Sequence, residues 1–352
     1  MHPAHMRRFL AGAAVAGAAL LALPVTAHAA ADDLRTVPLP FLWPRADLTT
    51  VAPDGAGGVW IGGGQGAHCL VVLNPWCYNL GNPVVRRWTG TNWKEYPIDG
   101  WTGNGFIGRV ASGAGRTWIG GVGQGAAGPD RLFVFDGASF RKVATPSTAT
   151  IGVLSTGPAG TWITQDVAPG SGEPHLLRRD GDAWVGADLP DPGARVNDVQ
   201  ALSATDVWAV GNRPQGDGGE RRPAVARFDG TGWTWLPEPG MPSSNSVEQV
   251  VPVASDDVWV YSNAHLAHWD GSAWTTIEGP GGPIADLAVD GSGTVWAATP
   301  VSDDAGLWRY RDGSWQPVTV PGGARLNDVA TLGASTIWGV GRADDAPVAV
   351  RG

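Results

Sequence analysis

Residues 197–211 read NDVQALSATDVWAVG, and residues 327–341 read NDVATLGASTIWGVG. Each stretch holds two apolar runs parted by a small polar turn, the pattern of a half-buried β-hairpin. A chain that writes one hairpin twice is built from repeats. The hairpin's tryptophan recurs at Trp60, Trp118, Trp162, Trp208, Trp259, Trp296 and Trp338, with spacings of 58, 44, 46, 51, 37 and 42 residues. Such spacings suit units of four short strands joined by loops of variable length.

A second signature follows each of the first six tryptophans: TGTNW ending at Trp93, DGASF at Phe140, DGDAW at Trp184, DGTGW at Trp233, DGSAW at Trp274 and DGSW at Trp315. Asp-Gly between apolar runs marks a hairpin turn, because glycine accepts the positive φ that such turns need. Helical periodicity is absent after residue 30. The predicted fold is all-β, a seven-bladed β-propeller of four-stranded antiparallel blades spanning residues 30–352. Its blade cores fall at about 48–100, 101–147, 148–192, 193–242, 243–281, 282–322 and 323–352. The seventh unit supplies LNDVATL, TIWGVG and PVAVRG and then ends, one strand short. LRTVPLP, residues 34–40, resembles a fourth strand and has no first strand before it, so the N-terminal strand is predicted to close the last blade.

The runs DGAGGVWIG from Asp54 and DGSGTVWAAT from Asp290 resemble the repeat of two-component-regulator sensor propellers and of the virginiamycin B lyase family. That resemblance implies a propeller ring across all seven units. The lyases use a His and a Glu with a divalent metal, and no motif here carries those residues onto this chain.

The first 29 residues carry Arg7 and Arg8, an Ala- and Gly-rich apolar run, and Ala27-His28-Ala29 as a small-residue cleavage site. They read as an export signal, so the expected location is secreted and extracellular. No later stretch is long and apolar enough for a membrane span. Cleavage removes two of the 24 basic residues and none of the 33 acidic ones, taking the formal charge from −9 to −11. With Lys94 and Lys142 as its only lysines, such a chain is unsuited to nucleic acid, since an acidic surface repels phosphate. In an oxidising compartment Cys69 and Cys77 are expected to form a disulfide, two free thiols being the alternative. HCLVVLNPWC has neither redox-motif spacing nor enough partners for a metal site.

Most tryptophans fall in the repeat registers and belong to the core. Trp43, Trp76, Trp101 and Trp235 fall outside them, and Trp76 and Trp101 lie in connections where an exposed ring could stack on a sugar or anchor a protein. The first strands of successive blades begin with Arg109, Asn197-Asp198, Glu248-Gln249, Asp286 and Asn327-Asp328, which gathers carboxylates at one end of the central channel. Three uses compete for them. They could hold Ca²⁺ through oxygen ligands, act as acid and base, or bond to the backbones of neighbouring blades. His265 and His268 are three apart on a predicted strand, point to opposite faces and make a poor metal pair. The reading from sequence is an exported, monomeric binding protein for a glycan, a cell-wall component or an extracellular protein, with no cofactor. The alternative is a lyase or hydrolase using the channel-mouth carboxylates.

Overall fold

The computed structural model describes residues 34–68, 80–123, 131–168, 171–216, 219–242, 245–299 and 306–352. The leader, Cys69, Cys77 and Trp76 lie outside the described residues. Among the described residues seven sheets are formed, each built on four antiparallel strands; these follow chain order in six sheets, and in the seventh the outer strand comes from the N-terminus. The first strands are Asp47–Pro53, Gly105–Gly113, Ile151–Gly157, Arg195–Ser203, Gln249–Ala254, Asp286–Val289 and Arg325–Leu332 in blades one to seven. Each lies against the first strand of the next blade, the seventh against the first, so the sheets close into a ring around a channel. Among the described residues no helix is long and apolar enough to cross a membrane.

A lone four-stranded sheet leaves two apolar faces in water, and the ring buries them between neighbours. Seven apolar clusters result, one at each blade junction. The repeated tryptophan sits in the junction between its own blade and the next: Trp60 between one and two, Trp208 between four and five, Trp338 between seven and one. All seven such rings are buried, Trp208 and Trp338 completely. The second repeated tryptophan reaches backwards. The indole N–H groups of Trp93, Trp184, Trp274 and Trp315 donate to Pro38, Ala144, Pro237 and Glu278 carbonyls, each at the outer edge of the preceding blade, at 2.9 to 3.1 Å. The Asp-Gly turns hold as expected: Asp229 Oδ1 accepts the Thr231 and Gly232 N–H groups while Gly230 takes φ 96°.

The last blade closes as the strand count predicts. Arg35 and Thr36 pair antiparallel with Arg351 and Val350, and the Val37 N–H donates to Ala349 O at 2.8 Å. Leu34 and Val37 are buried, in the clusters on either side of blade seven. One assignment needs correction. Ile98–Asp99, placed in blade one by sequence, adds a fifth strand to blade two, parallel to Phe140–Val143. Ser139 Oγ anchors it by donating to Asp99 Oδ2 at 2.6 Å.

Candidate functional site

The first strands of blades one, two, four and seven each carry an irregularity where two residues face one, at Leu48/Thr50, Ile107/Arg109, Val196/Asp198 and Leu326/Asp328. A bulge re-aims the side chains beside it. In blade seven Asn327 Nδ2 donates to Leu48 O of blade one at 2.8 Å, and Asp328 Oδ2 accepts the Val51 N–H at 2.8 Å. Asn197 and Asp198 repeat both contacts with blade five, at Val247 O and the Val250 N–H. Thr49 and Thr50 do the same toward blade two, at Ile107 O and the Val110 N–H. Gln249 Oε1 accepts from Leu287, and Asp286 Oδ2 from Val329. Five of the seven junctions are thus stitched by one register position, occupied by Thr50, Asp198, Gln249, Asp286 and Asp328. The Asn-Asp pair of the repeated hairpin is a joint between blades.

Burial sets the electrostatics of this ring. Crowding by protein raises the Asp198 carboxyl to about 6, against the opposing pull of the Val250 N–H and of Arg109. Asp286 and Asp328 share a hydrogen bond and are both raised, foremost by burial. Two carboxylates in contact cannot both stay ionised cheaply, so the pair titrates as a unit that retains a proton. Tyr261 donates its hydroxyl to Ala285 O at 2.9 Å. Its burial and the surrounding charges of Asp286, Glu248, Asp198 and Asp328 hold the phenol protonated. Among the described residues no group of three or more His, Cys, Asp or Glu is disposed to hold a metal ion.

Above this ring, at the end of the channel where the first strands begin, three cavities open side by side. One of about 520 Å³ spans blades seven, one and two and includes Asp47, Thr49, Gln65, Phe106 and Arg342. A second, of about 390 Å³, lies over blades two and three and shares Thr49 with the first and Arg109 with the third. The third, about 690 Å³, covers blades two to five and presents Arg109, His175, Arg195, Arg221, Glu248 and Tyr261. These volumes fall in the range of small-ligand sites. Phe41 and Trp43, the most exposed large apolar residues at 76% and 60%, stack edge-on near the first cavity, where the Trp43 N–H donates to Gln65 Oε1.

Of the residues singled out from sequence, Arg109, Asn197 and Glu248 line the third cavity. Asp198, Asp286, Asn327 and Asp328 lie in the stitching ring. Trp101 is half-buried, stacks on Phe133 at 5.7 Å and covers the cluster between blades one and two, outside the three cavities. Sequence reasoning missed His175, Arg195, Arg221 and Tyr261. Arg195 had a signal: GARVNDV and GARLNDV place it and Arg325 in one register. His175 Nδ1 lies 2.8 Å from Gln165 O, and burial, more than the nearby Arg195, keeps the ring neutral.

The class that fold and site define is the seven-bladed propeller with its cavities at one mouth of the channel. No family model and no curated protein matches the chain. Solved structures do. Virginiamycin B lyase from Staphylococcus aureus superposes with a TM-score of 0.63 at 14% identity, over 91% of this chain and 98% of that one. YCF48 from Cyanidioschyzon merolae gives 0.57 at 15%, over 92% and 98%. The extracellular domain of a one-component system from B. thetaiotaomicron gives 0.59 at 13%, over 90% of this chain and 40% of that one. At these identities the likeness is one of fold.

Proposed function

We propose that this chain is an exported binding protein that takes a glycan, cell-wall component or protein at the channel mouth, chiefly in the cavity over blades two to five. One observation carries the reading. The carboxylates best suited to acid–base work, Asp198, Asp286 and Asp328, spend their oxygens on backbone N–H groups of neighbouring blades, whereas the cavity above them is open and lined by charged side chains. The solved neighbours are a lyase, the extracellular domain of a one-component system and YCF48, so the shared fold selects none of these activities. A glycan array and immobilised cell-wall fragments probed with the purified chain test the proposal. Glu248→Arg and Arg221→Glu abolish retention, and Thr231→Arg, in a turn at the other end of blade four, leaves it intact. Retention insensitive to the first two substitutions overturns it.

A second reading, lyase or hydrolase, has one observation in its favour: Asp198, at about 6, is tuned to the range of a general acid. Consumption of a retained ligand, lost on Asp198→Asn while retention persists, would establish that reading.

A further inference from the structure

Of the arginines in this chain of 33 acidic and 24 basic residues, Arg86, Arg87, Arg141, Arg179, Arg222, Arg227 and Arg342 pair with a carboxylate. The three arginines of the largest of the three cavities do not, among the described residues. Arg109 Nε donates to Gly152 O at 2.7 Å. Arg195 Nη2 donates to Val167 O at 2.6 Å, and its Nη1 lies 3.4 Å from His175 Nδ1. Arg221 Nη2 donates to Gly193 O at 2.8 Å, and its Nε to Asn212 Oδ1. Each guanidinium is therefore fixed by neutral acceptors and not by an ion pair, the Arg109 charge acting at longer range on buried Asp198 and Asp328, and each keeps N–H groups for another partner: both Nη of Arg109, Nε of Arg195 and Nη1 of Arg221. Fixing a guanidinium without a direct ion pair is what a preorganised oxyanion site requires, because neither side-chain entropy nor a competing salt bridge opposes the ligand.

From this geometry we infer that the cavity over blades two to five takes a carboxylate-bearing small molecule, its carboxylate held by Arg109, Arg195 and Arg221. The inference rests on the proposed binding role of the channel mouth and adds the chemistry of its ligand. Two further charges decide which anion. Asp166 and Glu248 line the same cavity and are exposed, so three cations face two anions, and the surplus of one suits a monoanion. A phosphate dianion would meet both carboxylates, which disfavours it. His175, kept neutral by its burial, adds no charge.

Titration calorimetry on the purified full chain tests this with matched probes: hippurate against its neutral amide, and galacturonate against galactose and galactose 6-phosphate. At least one carboxylate should bind about tenfold or more tighter than its neutral counterpart. Arg195→Gln and Arg221→Gln should each weaken that binding about tenfold, the worth of one charged hydrogen bond. Arg325→Gln, in the same register as Arg195 but outside this cavity, should not. Melting curves of all three variants separate lost binding from lost fold, and Arg221→Lys, which keeps the charge but not the fork, should bind at an intermediate level. Equal affinity for the neutral probes, tighter binding of the phosphate, or binding of neither carboxylate overturns the inference. If a neutral probe binds and Glu248→Arg blocks it, the binding site stands and only its anion chemistry fails. If no bound probe responds to substitutions in this cavity, the site itself is wrong.

Discussion

Replacing Asp198 with asparagine turns the stitching ring into a pH experiment. In the folded chain the carboxyl titrates at about 6, because burial outweighs the pull of the Val250 N–H and of Arg109. In the unfolded chain it returns to its ordinary value of 3.8. Between those values the folded state holds a proton that the unfolded state has released, so this group's contribution to stability falls as pH rises through the window. Roughly two units at 1.36 kcal/mol each amount to about 3 kcal/mol, present below pH 4 and lost by pH 7. Asparagine does not titrate. Its amide would also turn an NH₂ toward one of the N–H groups that the carboxylate now accepts from Val199 and Val250, at a cost of about 1–3 kcal/mol at every pH. Urea unfolding of both proteins at pH 4 and pH 8 measures the difference, and the Asp286–Asp328 pair, common to both, cancels. The variant should be the weaker protein at pH 4 and should draw level or pass its parent by pH 8. A gap that stays constant refutes the claim that burial dominates at Asp198, and a gap that widens toward pH 8 would mean Arg109 holds the carboxylate charged.

Deleting residues 34–40 should lower the melting temperature by several degrees, since it uncovers Val348 and Val350 and removes the carbonyl that Trp93 bonds; an unchanged melting curve would show that the strand is not a latch. Millimolar calcium should leave the melting temperature where it is, because the oxygens of Asp198, Asp286 and Asp328 already accept N–H groups. Stabilisation near the 2.7 kcal/mol expected at about a hundred times a dissociation constant, reversed by chelation, would restore the cation reading. For Cys69 and Cys77, intact mass of the purified protein, produced by export through an oxidising compartment, should rise by two hydrogen atoms on reduction, and alkylation without reductant would disprove the disulfide.

The ring was legible because a blade cannot fold alone. Each unit must repeat the residue that fills the junction, and Trp60 through Trp338 do so at one position per blade. The latch was legible by counting strands. The fifth strand of blade two was not, for Ile98–Asp99 is a two-residue segment whose partner lies about 40 residues onward, with no periodicity to mark it. Nor was the purpose of Asn-Asp decided by sequence. Acid–base work, cation binding and blade stitching all ask for oxygen at the start of an inner strand, and it is the hydrogen bonds of Asn197 and Asn327 to the next blade's carbonyls that mark the pair as a joint. Arg221 sits at the far end of a long loop, where no repeat register reaches.

The exceptions to the stitching rule carry the remaining information. In five blades the register position gives an acceptor to the next blade's backbone, and in blades two and three it is Arg109 and Val153. Neither can accept an N–H. The two neighbouring junctions are held by other means: Arg109 Nε on Gly152 O, then Arg195 on Val167 O and Ser155 Oγ on Gln200 Oε1. Both exceptional residues line the cavity that holds the three guanidinium groups without a direct ion pair. A repeat abandons its joint only where another demand outweighs closure, and departures from a local rule concentrate at functional sites. Restoring the acceptor by Val153→Asp would test that trade: the new carboxylate should weaken carboxylate binding by reducing the cavity's positive charge, and should cost stability above pH 6, because it replaces an apolar side chain buried in the cluster between blades three and four. Unchanged affinity in a folded variant would show that the broken register is incidental to the site.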